Sequence, residues 1–568
     1  LRVNSTYGMA GTGIAITGVY QLRDEYYDIK FRQNSTMYGE YSFKNHYMKD
    51  IENYFNEISV EGFTTTYNSM FESIQELVKQ PTSEAVRTQV ANYAKSLTEY
   101  FNSMAANLRS VQEECNFEIK NMVDKINSIS HQIAALTGQI NTLEVRGGKA
   151  NDLRDQRALL IDELSEIANV TVTESVIGDG IGINNYVVKI DNQTLVDGKE
   201  YKTLKVVPRK EKTNQNDIDG LYDVAWANGQ KFDLRSPSLG GALKALYEVR
   251  DGNNNENLRG TIQAESGSTY VTLSDTTIND VEKLNIPQTG KITIGNREYI
   301  YTGFEASRNS EGKYVYTFEL ETPVIATATG QNASVGEQIN YKGIPYYMGQ
   351  MNEFIRTFAR TFNQAHRSGK DLNDNPAIDF FNGIDRMSGR NYTFGPLESW
   401  EDYETYDFDS FNSNTGGYYQ ELPMDQPHYA SYYFITVDNF TVSDEIVSDW
   451  TKIATGTDVV NGIENGDVAQ ALLAIKTDRS LFKQGEAGGF MHTLVAEIGI
   501  DSKKSSNFSE SQDNILKAIT NQRLSVSGVD IDEEAMSLIR FQNAYNLSSK
   551  VISIMDEIYD RLINYMGV

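Results

Sequence analysis

Residues 530–565 read DIDEEAMSLIRFQNAYNLSSKVISIMDEIYDRLINY, and apolar side chains recur along this stretch at alternating steps of three and four residues. That spacing is typical of a coiled-coil seam, because it keeps the apolar side chains on one face of a long helix. The seam consists of Leu538, Phe541, Tyr545, Ile552, Met555, Tyr559, Leu562 and Met566. We therefore predict one long helix that runs to the end of the chain and presents a continuous apolar stripe.

Polar residues mark the start of this helix. Asp530 can accept hydrogen bonds from the first free backbone N–H groups, and Glu533 follows three residues later as in a capping box. Asp532 and Glu534 place negative charge in the first turn, where the helix dipole favours it. The helix should begin near Ile531.

A second apolar line lies beside the seam, so a single neighbouring helix would not cover this segment. Its members are Ala544, Val551, Ile558 and Tyr565. Ordering a free chain costs about 1 to 2 kcal/mol per residue in backbone entropy. We therefore expect the segment to be frayed when alone and to fold against partner chains. The alternative, on pattern alone, is a terminal helix that docks on its own domain.

A much longer apolar rhythm runs from Val86 to Leu143. Its steps alternate between three and four residues except for one extra residue after Cys115, a change of register that coiled coils accommodate. An unbroken helix over this stretch would be about 85 Å long at about 1.5 Å per residue. The glycine pair 147–148 should end it, and residues 151–167 should return antiparallel to it as a helical hairpin.

The remaining segments divide into helical and strand-like patterns. Helices are predicted over residues 39–56 and 67–78 and, as short elements, at about 240–250 and 346–366. Strand-like runs separated by Gly, Asn and Asp turns are 170–173, 186–190, 204–207, 270–273, 291–294 and 314–318. Residues 390–435 are rich in Tyr, Asp, Asn and Gly, and their many aromatic residues favour an exposed module of loops and edge strands over a disordered tail.

These patterns predict an α+β multidomain protein, in which the N- and C-terminal segments form a long, coiled-coil-like helical rod and β-rich domains are inserted between them. The predicted divisions are a discontinuous helical rod domain (1–170 plus 476–525), a β-rich domain with short helices (171–252 plus 343–389), an inserted β domain (253–342), a Tyr-rich β/loop module that returns to the rod (390–475) and a terminal assembly helix (526–568). Because the first residue is Leu1, we expect the N-terminal partner of the terminal helix to lie outside this sequence.

Composition narrows the classes of partner. The chain has 568 residues, with 78 acidic and 51 basic side chains and a net charge of −27. No basic cluster opposes this charge, which argues against nucleic acid and anionic membranes as partners. No run approaches the roughly 18 apolar residues of a membrane-spanning helix, so no membrane insertion is expected. Cys115 cannot form an internal disulfide, and its place in the long apolar rhythm predicts packing in the core.

Motifs for catalysis and metal binding are missing or incomplete. No Gly-Lys pair is followed by Ser or Thr, so there is no P-loop, and the five histidines are not spaced as zinc ligands. Asp371, Asn373 and Asn375 have the spacing of the first half of a calcium loop, but Pro376 replaces the required glycine and Asn382 the distal glutamate. We predict a solvated turn there. No catalytic, cofactor-binding or metal-binding residue is expected, and the chain should not be an enzyme.

The C-terminal stretch resembles the terminal signature of the bacterial flagellar hook-associated protein type one family, the hook-filament junction proteins. The match includes the continuous stretch from Asn521 to Tyr545, which reads NQRLSVSGVDIDEEAMSLIRFQNAY, and then Ser549-Lys-Val-Ile-Ser553. Other axial flagellar proteins share a looser form of this signature, so four internal stretches are needed to separate the members. They are residues 11–19 with Arg23-Asp24, Asn151-Asp-Leu-Arg-Asp-Gln-Arg157, Leu239-Gly-Gly-Ala-Leu243 with Arg250-Asp251, and Phe362-Asn-Gln-Ala-His366 with Gly369-Lys-Asp-Leu-Asn373.

The resemblance implies a structural protein that is exported through the flagellar type III pathway without a cleaved signal peptide and assembles outside the cell as a ring between hook and filament. The implied partners are the hook protein, the neighbouring hook-associated junction protein, further copies of the chain, and an export chaperone on the C-terminal helix. The seam would then be exposed in the monomer and buried in the assembled tube. The alternatives are another axial component such as a flagellin-like subunit and, outside this class, a surface adhesin or glycan-active enzyme that uses the Tyr-rich and inserted β modules.

Overall fold

Long helices at both ends of the chain enclose a β-rich central region, as the sequence predicts. The computed structural model describes residues 2–4, 8–10, 23–55, 62–177, 183–309, 313–325, 328–385, 388–392, 394, 432–459, 465–528 and 530–565. Its described helices are α1 (Glu25–Phe55), α2 (Phe63–Lys79), α3 (Glu84–Val145), α4 (Asn151–Ile167), α5 (Gly241–Asp251), α6 (Ile344–Arg367), α7 (Asp444–Ser448), α8 (Asp467–Ala474), α9 (Ala487–Ser527) and α10 (Ile531–Tyr565).

The longest helix is α3, whose 62 residues extend for about 93 Å at about 1.5 Å per residue. Its apolar rhythm is buried from Val86 to Ile140 except at the half-buried Tyr93 and Leu136, while Leu143 near the end is exposed. Cys115 is fully buried within this line, which confirms that it packs as a small hydrophobe. The helix α3 is therefore the central helix against which the neighbouring elements pack.

The predicted helical hairpin is confirmed. Gly147 follows the end of α3 and adopts a positive φ of 83°. This conformation is strained for a residue with a Cβ atom and is therefore typical of glycine at the end of a helix. The returning helix α4 lies antiparallel to α3, since Arg154 pairs with Glu144 at 2.8 Å while Arg157, one turn further along, approaches Thr137 at 3.4 Å. The hairpin thus places α4 alongside α3.

The first helix begins earlier than the predicted range of 39–56, at residue 25. Its first half packs through small side chains, among them Ser35 and Thr36, rather than through large apolar ones. At Gly39 the backbone of α4 is so close that a Cβ atom would lie 2.1 Å from the carbonyl oxygen of Glu166. Close backbone contact therefore replaces the apolar rhythm that sequence patterns detect.

The helix α9 packs antiparallel along α1. The rings of Tyr41 and Phe508 stack with centroids 4.9 Å apart, and Arg523 at the far end of α9 pairs with Asp28 at 2.8 Å. Segments from the two ends of the chain thus lie side by side, which confirms the predicted rod of N- and C-terminal segments.

The predicted strand-like runs all form strands. The described strands are β1 (Arg2–Asn4), β2 (Gly8–Ala10), β3 (Val170–Ile177), β4 (Ile183–Ile190), β5 (Gln193–Asp197), β6 (Glu200–Tyr201), β7 (Leu204–Pro208), β8 (Tyr222–Trp226), β9 (Arg259–Gln263), β10 (Tyr270–Ser274), β11 (Gly290–Ile294), β12 (Arg297–Arg308), β13 (Tyr314–Leu320), β14 (Asn332–Val335), β15 (Phe381–Gly383) and β16 (Phe440–Val442). Strands β3 to β6 form one antiparallel sheet in chain order, and β1–β2, β7–β8 and β15–β16 are two-stranded pairs.

Strands β9 to β14 close into an antiparallel barrel in the order β10-β13-β12-β11-β14-β9. Alternate residues of β13 point inward, and Phe318 packs there against Phe304 and Tyr301. Tyr433 links the barrel to α6, because its ring lies 5.5 Å from that of Phe304 and its carbonyl accepts a hydrogen bond from Arg356 at 2.7 Å. Its interior is a side-chain core rather than a channel.

One buried apolar cluster extends from α1 through the sheets and the barrel to α9. The division of the chain into separate domains therefore stays a prediction. Most of the Tyr-rich stretch 390–435 lies outside the described residues; at its end, Tyr432, Tyr433 and Phe434 are buried. Among the described helices, none is both long and apolar enough to cross a bilayer.

Candidate assembly surface

The terminal helix α10 starts where the sequence predicts. The Asp530 carboxylate accepts hydrogen bonds from the backbone N–H groups of Asp532, at 2.9 Å, and Glu533, at 3.3 Å. The Asp530 carbonyl accepts the first helical bond, from Glu534. The cap satisfies N–H groups that no intrahelical partner could reach, so the helix begins at Ile531.

The seam side chains lie along one side of α10 and are exposed. Their exposed fractions run from 46% at Met555 to 74% at Phe541, and no residue of α10 is buried. At about 100° per residue, the described seam residues fall within a stripe roughly 120° wide. They are Leu538, Phe541, Tyr545, Ile552, Met555, Tyr559 and Leu562; Met566 lies outside the described residues.

The second apolar line is exposed as well. Val551, Ile558 and Tyr565 are between 48% and 83% exposed and lie beside the seam. In the described part of the chain, no hydrogen bond or ion pair joins α10 to an earlier element, and its ion pair between Arg561 and Glu557 is local. The structure therefore does not have α10 docked on its own domain.

Large exposed apolar surface on a soluble chain usually marks an interaction site. Scattered single residues need no explanation, but α10 carries a continuous stripe several turns long. Its polar groups are arranged at the helix start and around the apolar face, with acidic residues in the first turn. Chemically, this surface can pack against other apolar helices.

Sequence patterns missed a set of buried arginines that hold loops by their carbonyl oxygens. Arg356 on α6 is fully buried and donates to the carbonyls of Ile435, at 2.7 Å, Leu284, at 2.8 Å, and Tyr433, at 2.7 Å. Burial lowers the pKa of Arg356 to about 10. Arg356 lies about 140° around α6 from Met351, on the side that carries the buried Asn352 and Asn363, so the apolar spacing of α6 gave no signal for its burial.

The stretch Phe362-Asn-Gln-Ala-His366 has the same structural role. The backbone N–H of Ala454 donates to Nε2 of the buried His366 at 2.8 Å, which leaves Nδ1 protonated and donating to the Ile378 carbonyl at 2.7 Å. Burial lowers the pKa of His366 to about 4, so the ring is neutral near pH 7. This histidine is a fixed structural link rather than a proton-transfer group.

The predicted solvated turn at Asp371 is wrong in one respect: the carboxylate is buried. Its Oδ1 accepts hydrogen bonds from the backbone N–H groups of Asn373, at 2.8 Å, and Asn375, at 2.9 Å. Burial alone would raise the pKa of Asp371, but hydrogen bonds from Asn375 and Asn373 outweigh it and hold the pKa below its ordinary value. The oxygens that a cation would need are occupied by the protein's own donors.

The family models and the named relatives that are similar in sequence to this chain are those of flagellar proteins. The family model for the helical domain of flagellar hook-associated protein FlgK matches residues 48–295, and the model for the C-terminal region of the flagellar basal body rod FlgEFG proteins matches residues 520–565. Flagellar hook-associated protein 1 of Bacillus subtilis is 22% identical over 574 residues, covering 100% of this chain and 89% of that protein. The Escherichia coli protein of the same name is 25% identical, covering 99% and 92%. The solved flagellar hook junction protein FlgK from Burkholderia pseudomallei aligns with a TM-score of 0.49 at 15% identity, covering 88% of this chain and 100% of that one.

Proposed function

Because the chain belongs to the flagellar hook-associated protein 1 family, we propose that it assembles through α10 as a ring of subunits at the junction between hook and filament. The protein is a structural, axial component of the flagellum and not an enzyme. It is exported and associated with the flagellum, where it assembles with itself and with other flagellar components.

The observation that carries the proposal is the uncovered seam of α10. Fully burying one large apolar side chain contributes about 1.5 to 3 kcal/mol, and seven described seam residues have no cover in the monomer. Neighbouring helices in a tube would cover both apolar lines at once, which a single partner helix cannot do. Leu538, Phe541, Tyr545, Ile552, Met555, Tyr559, Leu562 and Met566 are therefore the proposed contact residues.

The proposed partners follow from this surface. On the assembled flagellum they are the hook protein on one side, the neighbouring hook-associated junction protein on the other, and further copies of the chain within the ring. Before assembly, an export chaperone would cover the same apolar stripe, because an exposed stripe of this length invites aggregation. Export would use the flagellar type III pathway without a cleaved signal peptide and would place the protein outside the cell.

Electron microscopy of purified hooks incubated with gold-labelled full-length protein tests the proposal. We expect a short label confined to one end of each hook. Ile552→Asp places a charge in the seam and should abolish the label, whereas Ser553→Asp adds the same charge away from the seam and should keep it. Long polymers would instead indicate a filament subunit, and unchanged binding of the Ile552→Asp protein would refute the role of the seam.

A further inference from the structure

A cluster of charged side chains joins α1, α4 and α9 near the point where α10 leaves the body. Arg523 on α9 donates from Nη1 to Oδ2 of Asp162 on α4 at 2.6 Å. Its Nε lies 2.8 Å from Oδ1 of Asp28 on α1, as an ion pair without an aligned hydrogen bond. One guanidinium therefore bridges two helices that are far apart in the sequence.

Further arginines complete the cluster around the two aspartates. Arg32 donates from Nε to the other oxygen of Asp162 at 3.0 Å, and Arg23 pairs with Asp28. The side chains of Asp28 and Asp162 are 7% and 9% exposed, so both carboxylates depend on these cations for compensation. The Phe31 ring lies beneath the Arg523 guanidinium, with its centroid 4.9 Å away. The fork is thus held from several sides.

Arg523 stands near the end of α9, so the cluster can affect the position of α10. Ile519 is the last buried apolar residue of α9. Beyond Arg523, the described residues make no hydrogen bond or ion pair with any element before α9. The contacts of Arg523 are therefore the last polar anchors on the body before α10 begins at Ile531.

We propose that Arg523 is a positioning residue for assembly: by holding the end of α9 against Asp28 and Asp162, it fixes the place and direction from which α10 leaves the body. This inference rests on the proposed assembly role of α10. We call this end of α9 the root of α10. When the root is fixed, α10 has less conformational freedom to lose on docking, and such preorganisation strengthens binding without a new contact at the interface. Arginine suits this role because its planar fork reaches two carboxylates at once, which a lysine ammonium does less well.

Spin-label distance measurements on the full-length protein test the inference. Labels at Gln156→Cys on α4 and Ser525→Cys on α9 report the position of the root, and the native Cys115 is fully buried and stays unlabelled. We expect a narrow distance distribution in the otherwise unchanged protein. Arg523→Gln should broaden it and weaken hook binding about tenfold, because docking must then also restrict the freed end of α9, while Arg523→Lys should give intermediate values. Lys517→Gln removes an exposed cation of the same helix and should change neither reading.

Several outcomes would overturn the positioning role. A distribution that stays narrow in Arg523→Gln would do so, as would equal broadening in Lys517→Gln, or broadening with no change in hook binding. Thermal unfolding of each variant checks that the body stays folded, and the Arg523→Lys protein extends the test if Arg523→Gln does not fold. The Ile552→Asp variant keeps Arg523, so its normal binding to hooks would count against the proposed function of α10, while the label distances judge the root separately.

Discussion

The helices α3 and α10 have the same spacing of apolar residues, but this face is buried in α3 and exposed in α10. In α3 the line from Val86 to Ile140 is buried by α2, α4, α5 and the adjoining strands. In α10 the equivalent stripe has no cover. Periodicity therefore predicts a helix and the face that will be buried, but it does not tell whether the chain itself or another molecule buries that face.

The largest expected effect comes from placing a charge in the covered line. Ile126 on α3 is fully buried, so Ile126→Asp would bury an unpaired carboxylate and should destabilise the protein by at least about 4 kcal/mol. Urea unfolding followed by circular dichroism measures the change. The matched substitution Ile552→Asp on α10 should change the free energy of unfolding by less than about 0.5 kcal/mol. Similar losses in both variants would mean that α10 is covered in the monomer.

Lowering the pH should reduce the stability of the folded protein through the buried His366. Its pKa is about 4 in the folded protein and about 6.5 when exposed, so the unfolded chain takes up the proton first as the pH falls. The stabilisation is complete above pH 6.5 and is lost between pH 6.5 and 4, with roughly 2 kcal/mol gone at pH 5 and roughly 3 kcal/mol at the end of this window.

Comparison with His366→Asn isolates this contribution. Burial raises the pKa of Asp379 to about 7, which acts in the opposite sense over the same range, so the pH dependence of one protein alone would mix the two. The free energy of unfolding should fall with acid more steeply in the unchanged protein than in His366→Asn. His492→Asn, at an exposed position, should keep the steeper dependence. Parallel curves for the unchanged protein and His366→Asn would contradict a neutral buried ring.

A methyl group at Gly39 should loosen the contact between α1 and α4. The new Cβ atom would stand 2.1 Å from the Glu166 carbonyl oxygen, so one backbone must move, and we expect Gly39→Ala to cost about 1 to 3 kcal/mol. Chemical denaturation measures the loss. Gly138→Ala on α3 meets no atom within 4 Å and should stabilise the protein by up to about 1 kcal/mol through helix propensity. A loss at Gly138 as large as at Gly39 would show that space is not the cause.

The parts of this fold that can be predicted from the sequence are those marked by regularly spaced apolar residues or by residues typical of helix ends. The long line of α3, the hairpin at Gly147 and the start of α10 at Ile531 follow from spacing, glycine and capping chemistry. The first half of α1 does not, because Gly39 and its small neighbours pack by closeness of backbones. Arg356 and the buried Asp371 were also out of reach, since their partners are backbone groups from segments far away in the sequence, and only the folded structure brings these together.

The smallest expected effect concerns the cap of α10 and decides how independent this helix is. Asp530→Ala removes the acceptor of two backbone N–H groups, which should make the first amides of α10 exchange about fivefold faster. Because no residue of α10 is buried, the change should stay local and leave the denaturation midpoint of the body unaltered. Hydrogen exchange read by mass spectrometry, alongside chemical denaturation, measures both.

Asp556→Ala is the matched control, since it replaces an exposed aspartate inside α10 with a better helix former and should not speed exchange. If Asp530→Ala also lowered the midpoint for the body, α10 would unfold together with α3, and the contrast between a covered and an uncovered helix would fail. If only α10 responds, its stability in the monomer is local, and the energy that fixes it must come from the molecules that cover the seam.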